Sequence, residues 1–366
     1  MQHYKLWEVV ISELQHLAHD SYPGSRCSSR EIIYKIFQSG VAAADPQKAV
    51  SNAMQFQGNQ LSFAGYPQCP KAWSKVHVIA IGKAAWAMAN AVTDLIPPSM
   101  IADDSVIVTN VENKQKVADL AVYSAGHPLP DQHSIVAAKC VMSCAQNARP
   151  GELLLVLISG GGSALIAYPA RGMTLQDKML TTRLLLESGA TINEVNCVRK
   201  HLSRIKGGNL ARVAHHVDLQ ALVLSDVIGD DLSSIASGPT VPDPTTFQQA
   251  VDVLKSRQIW QRVPDTVRSR LQAGCAGLVT ETAKPGDPLL DRAGCRLIGG
   301  NRISVAAMQV LAQHAGFDTE VYSTKLCGEA RQEAVKLCHH AVQILGTLSR
   351  PTAVIAGGET TVTVTG

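Results

Sequence analysis

A chain of 366 residues exceeds one ordinary hydrophobic core and accommodates two domains. Apolar residues make up 46% and charged residues 17%, the composition of a folded globular protein and not of a disordered one. The formal charge is only +3 and no block of Lys/Arg occurs, which argues against a nucleic-acid partner.

Residues 1–28 read as an N-terminal extension ending in the loop-forming Ser21-Tyr-Pro-Gly-Ser-Arg26 stretch. A helix is expected from Ser29, where serines precede the acidic Glu31. After a Gly/Gln-rich loop, Val76 to Ile81 is a buried strand that breaks at Gly82, and an Ala/Met helix follows over about 84–94. Ser105 to Thr109 reads as a short strand and Ile135 to Gln146 as an Ala-rich helix. Leu153 to Ile158 is a strand running into Ser159-Gly160-Gly161-Gly162-Ser163. Helices are expected over 174–187 and 192–214, and a strand over 219–224 that ends at Ser225-Asp226.

Apolar strands alternating with helices predict an α/β fold: a mainly parallel, Rossmann-like sheet with helices on both faces. Prolines at 242, 244, 264, 285 and 288 break up the next region, so the larger α/β domain is expected over 29–288. A smaller C-terminal α/β domain then occupies 289–366, opening with the Cys295 to Ile298 strand and Gly299-Gly300-Asn301. It continues with a helix from Ile303 to Ala315, a strand from Phe317 to Tyr322, a helix from Glu329 to Leu345 and a strand from Ala353 to Ile355. A Thr/Val alternation runs to Gly366.

The nine cysteines form no C-x-x-C pair, zinc ladder or disulfide framework, which suits a reducing cytosol. The Leu153 to Ile158 run is strand-sized, and the N-terminus lacks a signal-peptide core, so a cytoplasmic chain without a membrane partner is expected.

In an open parallel sheet, ligands bind beyond the carboxyl ends of the strands. Four clusters fall at that edge: Gly82-Lys83, Ser159 to Ser163, Ser225 to Asp231, and Gly299 to Asn301. Gly160, Gly161 and Gly162 let backbone N–H groups approach an anion, and Ser159, Ser163 and a nearby helix N-terminus would add to that attraction. The same glycines would also serve a tight turn. Lys83 is either a solvated lysine or one aimed into the crevice to meet phosphate oxygens. No Walker A loop and no complete G-x-G-x-x-G is present.

On the helix from Ile192, the residues Asn196, Arg199, Ser203 and Lys206 form one polar stripe, with Lys200 at its margin. That stripe is either a solvated basic face or a clamp for carboxylate or phosphate. Asp226, with Asp230 and Asp231 beyond it, can hold Mg²⁺, take a proton from a hydroxyl, or cap a helix. His127 sits in the rigid Gly126-His-Pro-Leu-Pro-Asp131 loop, where it lines a site or shapes the loop.

Taken in order, Gly82-Lys-Ala-Ala85, the Gly126 to Asp131 loop and Leu157-Ile-Ser-Gly-Gly-Gly-Ser-Ala164 resemble the glycerate 2-kinase family. So do Asn196 to Gly208, Leu224 to Asp231, Ala236-Ser-Gly-Pro-Thr240, Ile298-Gly-Gly-Asn301 and Gly357-Gly-Glu-Thr-Thr-Val-Thr-Val364. The resemblance implies transfer of the ATP γ-phosphoryl group to the 2-hydroxyl of D-glycerate, with Mg²⁺. It implies that Lys83 stabilises the transferring group and that Asp226 orients or deprotonates the acceptor. By the same resemblance Ser159 to Ser163 and Arg199 to Lys206 bind anionic ligand, and Asn301 and Glu359 wall the cleft. From their place at the strand edge, Asp226 and Asp230 are the metal candidates. A homodimer is left open.

Family members continue past Gly357-Gly-Glu-Thr-Thr into a Gly-Arg-Asn-Gln segment, so a truncated second domain with weak or absent activity is expected. Two rival readings stand beside the kinase. One is hydroxypyruvate reductase, a label this family has carried, which would require a nicotinamide site. The other is a catalytically incomplete sugar-acid-binding protein.

Overall fold

The computed structural model describes residues 29–64 and 71–363; the expected extension over 1–28 and the last three residues lie outside them. Helix α1 spans Ser29–Ala42, and α2 spans Pro46–Ala53, where the Asp45 carboxylate accepts from Lys48 N–H at 2.9 Å. Strands β1 (Met54–Gln57) and β2 (Gln60–Phe63) pair antiparallel around Gly58 and Asn59, both with positive φ. The stretch expected as a Gly/Gln loop is therefore a hairpin, whose apolar Met54, Leu61 and Phe63 turn inward.

The main layer follows in chain order: β3 (Val76–Ile81), α3 (Ala85–Leu95), β4 (Val106–Thr109), β5 (Ala121–Ser124), α4 (Gln132–Asn147) and β6 (Leu153–Ile158). Next come the single turn α5 (Gly162–Leu165), α6 (Leu175–Glu187), α7 (Ile192–His201), α8 (Asn209–Val213) and β7 (Asp218–Leu224). Helices α9 (Phe247–Ser256) and α10 (Asp265–Cys275) occupy the proline-punctuated region, ahead of β8 (Ala293–Gly299). Each proline there lies outside the helices, just before one, or, as Pro288 does, at the first position of a short 3-10 turn, where it costs no helical hydrogen bond.

Six strands form one sheet in the order β5-β4-β3-β6-β7-β8, every pair parallel. Every residue of β3 and β6 is buried, as a two-faced sheet requires. At roughly 1.5–3 kcal/mol for each fully buried aliphatic side chain, these central strands anchor the fold. One face packs on α4, α5 and α8, and the other on α2, α3 and the hairpin. The apolar Leu184, Val198, Leu254 and Leu271 bind α6, α7, α9 and α10 into a helical layer of their own.

The chain lays down β3, β4 and β5 outward, then returns to place β6 on the other side of β3. That reversal is the topological switch point at which such sheets bind ligands.

Two expectations change. The helix expected over 192–214 is interrupted: it starts at a Thr191/Glu194 capping box and ends at His201. Ser203 then bridges to Pro169, while Gly207 and Gly208 take φ of 59° and 76°, which a continuing helix cannot accommodate. The strand around Cys295, expected to open the second unit, pairs with β7 as an edge strand of the large sheet.

Beyond it lie α11 (Asn301–His314), β9 (Asp318–Leu326), α12 (Ala330–Leu345) and β10 (Thr352–Gly358), with β9 and β10 parallel. Helix α1 packs on this layer, its Ile36 meeting Val305, Ala312 and Ile355. The expected β alternation after Gly358 is only a bridge from Thr361 to Glu329 as far as residue 363.

Candidate active site

Two loops meet at the switch point. Gly82 has φ 124°, and a side chain there would run into Ser159, so glycine is what lets the β3 and β6 loops touch. The Ser159 hydroxyl accepts from Ala84 N–H at 3.1 Å, and Lys83 N–H donates to the Gly160 carbonyl at 2.9 Å. The backbone of Lys83 is thus fixed while its side chain stays exposed.

Around the glycines the charged groups converge. A Cβ on Gly160 would collide with the Asp226 carboxylate. A Cβ on Gly161, at φ +85°, would lie 3.0 Å from His127 Cδ2 and 3.4 Å from Lys83 Cε. Lys83, His127 and Asp226 therefore stand around one loop. Burial lowers the His127 pKa, and the Lys83 ammonium lowers it further against the opposing pull of Glu112 and Asp226. The imidazole is held in its neutral form at pH 7.

Among the described residues no acceptor meets the backbone N–H groups of Gly160, Gly161, Gly162 and Ser163. Four successive unpaired donors, two of them in the first positions of α5, are available to an anion. The expected contribution of a helix N-terminus is small, because α5 is a single turn.

Behind the loop lies a buried polar network. The Ser163 and Ser237 hydroxyls are 2.7 Å apart, and Ser237 donates to Asn196 Oδ1 at 3.1 Å. Lys206, 1% exposed, donates to the carbonyls of Ser163 at 2.9 Å and Ala236 at 3.4 Å. Burial, then the nearby Arg199, Lys178 and Lys200, push its pKa well down. Ala236 and Ser237 take positive φ of 50° and 59°, a strained conformation that sets Ser237 against Ser163. Arg199 has no carboxylate partner among the described residues, and burial lowers its pKa. Lys200 is turned away, paired with the buried Asp243 at 3.3 Å, and is not brought to the loop.

In front, a cleft of about 220 Å³ runs between the β7 loop and the second layer. Asp226, Gly229 and Asp230 line one side, and Asn301, Lys325 and Glu359 the other. Asn301 is held there by donating to the Thr324 carbonyl at 2.6 Å. Asp226 borders both the glycine loop and the cleft. A Mg²⁺ bound through one or two carboxylates, water and phosphate oxygens needs no larger set of protein ligands, so Asp226 and Asp230 fit that ion.

The crevice thus gathers Lys83, Ser159 to Ser163 and Asp226. The cleft adds Asp230, Asn301 and Glu359, and Asn196 and Lys206 act from behind. Sequence reading left two participants open. His127 was legible only as part of a rigid loop, and Ser237 only as the middle of an Ala-Ser-Gly stretch; neither has a spacing that betrays what it faces.

A parallel sheet with an anion cradle, a lysine and an aspartate at its switch point defines an α/β enzyme of anionic substrates. Residues 32–272 match a family described as a domain of unknown function, DUF4147. A glycerate 2-kinase of Pyrococcus horikoshii is 41% identical over 92% of this chain and 75% of its own length. A D-glycerate 2-kinase of Thermotoga maritima is 33% identical over 93% of this chain and 75% of its own. A solved glycerate kinase from Thermotoga maritima superimposes with a TM-score of 0.78 at 32% identity, covering 92% of this chain and 75% of that one. The chain belongs to the glycerate 2-kinase family.

Proposed function

We propose that this chain transfers the γ-phosphoryl group of ATP to the 2-hydroxyl of D-glycerate, giving 2-phosphoglycerate and ADP. The observation that carries the reading is that Lys83 and Asp226 both stand against one glycine loop whose four amides are unpaired among the described residues. Phosphoryl transfer needs little covalent help from the protein; positioning and charge stabilisation do the work.

The amides of Gly160 to Ser163 cradle anionic oxygens, and Lys83 neutralises charge as it spreads over the transferring group. Asp226 accepts the hydroxyl proton or fixes the hydroxyl in line. Neutral His127 donates or accepts a hydrogen bond beside them without adding charge. Asp226 and Asp230 would hold Mg²⁺, which when bound would supply charge neutralisation at the phosphate oxygens. Asn301 and Glu359 face the nucleotide across the cleft. The work is divided between a larger unit carrying the cradle and a smaller one walling the cleft. No described helix is long and apolar enough to cross a membrane, and a cytoplasmic location belongs to the same reading.

The test is a turnover assay with ATP, Mg²⁺ and D-glycerate that separates 2- from 3-phosphoglycerate. Formation of the 2-isomer, abolished in Lys83→Ala, supports the reading. Formation of the 3-isomer, nicotinamide-dependent reduction of hydroxypyruvate, or glycerate binding without turnover would each replace it.

A further inference from the structure

Helix α6 buries a cation that the phosphoryl-transfer chemistry does not use. Lys178, in its first turn, is 6% exposed, and its Nζ meets no hydrogen-bond partner. The groups facing it are also cationic: Arg199 from α7, Arg270 from α10, and Lys206 from the segment after α7. On its own helix, Asp177 is turned to the N-cap, where it accepts from Thr174 N–H at 2.9 Å. The fully buried carboxylate of Asp243 is already taken by Lys200, Thr245 and Thr282.

An unpaired buried ammonium destabilises a fold. Nothing in the packing of α6 demands it, since a methionine fills the same volume. The cluster reaches the cradle through Lys206, which feels the charge of Lys178 and Arg199 and donates to the Ser163 carbonyl at 2.9 Å.

Resting on the kinase reading above, we propose that Lys178, together with Arg199, receives the carboxylate of the acceptor acid. The glycine loop and Lys83 are left for the phosphoryl group. Without ligand, burial, Arg199 and Arg270 hold the Lys178 pKa at about 7, so near pH 8 the amine is largely neutral. An incoming carboxylate restores the charged form, and its binding takes up a proton from solution.

The experiment compares wild type with Lys178→Met and Lys178→Arg in the full chain. It reads the KM for D-glycerate and for ATP, the melting temperature, and calorimetric titration of D-glycerate at pH 8 in two buffers of different ionisation enthalpy. Expected for Lys178→Met are a glycerate KM raised about 10–100-fold, an ATP KM within about 2-fold, loss of proton uptake, and a melting temperature equal to or above wild type. Lys178→Arg recovers part of the affinity. Should Lys178→Met not fold, Lys178→Gln takes its place.

An unchanged glycerate KM with normal turnover overturns this assignment alone. A raised ATP KM with glycerate unaffected gives the site to a nucleotide phosphate and overturns the carboxylate assignment. Glycerate binding with proton uptake but no turnover in wild type supports Lys178 and removes only the kinase reading. No glycerate binding by wild type overturns both.

Discussion

The glycine loop after β6 has two sides that differ in kind. Toward solvent stand Lys83 and Asp226, with no salt bridge to bind them among the described residues, and the neutral His127. Toward the interior stand Asn196, Ser237 and Lys206, each buried and each committed to a defined partner. On the proposed reading the outer groups change partners as charge moves from donor to acceptor, so fixed ion pairs there would oppose the reaction. The inner groups must not move, because they set where the amides of the loop point. Exposure on one side and saturation on the other are two halves of one device for preorganisation.

Substitutions on the two sides should therefore fail differently. Lys83→Ala removes an exposed charge, and kcat should fall about 100–10,000-fold with little change in melting temperature. A comparable loss of stability would erase the distinction between the sides. Gly160→Ala sets a methyl group against the Asp226 carboxylate; kcat/KM should fall roughly 10–100-fold through misplacement alone. Recovery of activity in Gly160→Ala combined with Asp226→Ala would contradict a direct role for that carboxylate.

On the inner side, Lys206→Met strands the Ser163 and Ala236 carbonyls and should cost roughly 1–3 kcal/mol in a denaturant titration. Glycerate and ATP KM values should shift only secondarily.

The smallest effect lies in the helical layer, away from both sides. Burial opposes charging of His201, but its hydrogen bonds to the Cys197 carbonyl and Glu281 prevail and raise its pKa to about 9. Glu281 pays the burial penalty too, yet His201 and the N–H of Phe247 bring it down to about 2. The His201 contribution is complete below its ordinary 6.5 and is lost as pH rises through about 9; that of Glu281 is complete above 4.5 and lost as pH falls through about 2. The lowered pKa values of Lys178 and Lys206 make stability rise over the same range in any variant that keeps them, so the His201 contribution is read as a difference: the stability advantage of wild type over His201→Gln in denaturant should shrink by roughly 1–2 kcal/mol between pH 6 and 10, discounted for the partial exposure of Glu281. An advantage that does not shrink places the titrating group elsewhere.

The legibility of this molecule followed its physics. Strands buried on both faces are continuous apolar runs, so β3, β6 and β7 stood out together with the glycine and aspartate clusters at their ends. The short β5, whose residues are only half-buried or exposed, and the Gln-rich hairpin carry no such run. Apolar spacing over 192–214 continued through Leu202 and Ile205 because both are buried, yet they are buried from a loop and not from a helix. The site's charged members were visible as residue types at a strand end. That Lys200 turns to Asp243 while Lys206 turns to the loop depends on partners far along the chain, which spacing does not encode.

The join between the two layers has a mechanical consequence. Strand β8 ends at Gly299 and α11 begins at Asn301, so a single residue, Gly300, links the sheet to the far wall of the cleft. Among the described residues the other covalent crossing is the turn between α1 and α2, and α2 itself comes close by, since a Cβ on Gly299 would lie 3.9 Å from Ala49. Two crossings set side by side make a pivot. A few degrees of torsion there would swing Asn301 and Glu359 across the face of Asp226 while every strand of the sheet stays in register, so a stiff platform and an adjustable wall can coexist in one chain.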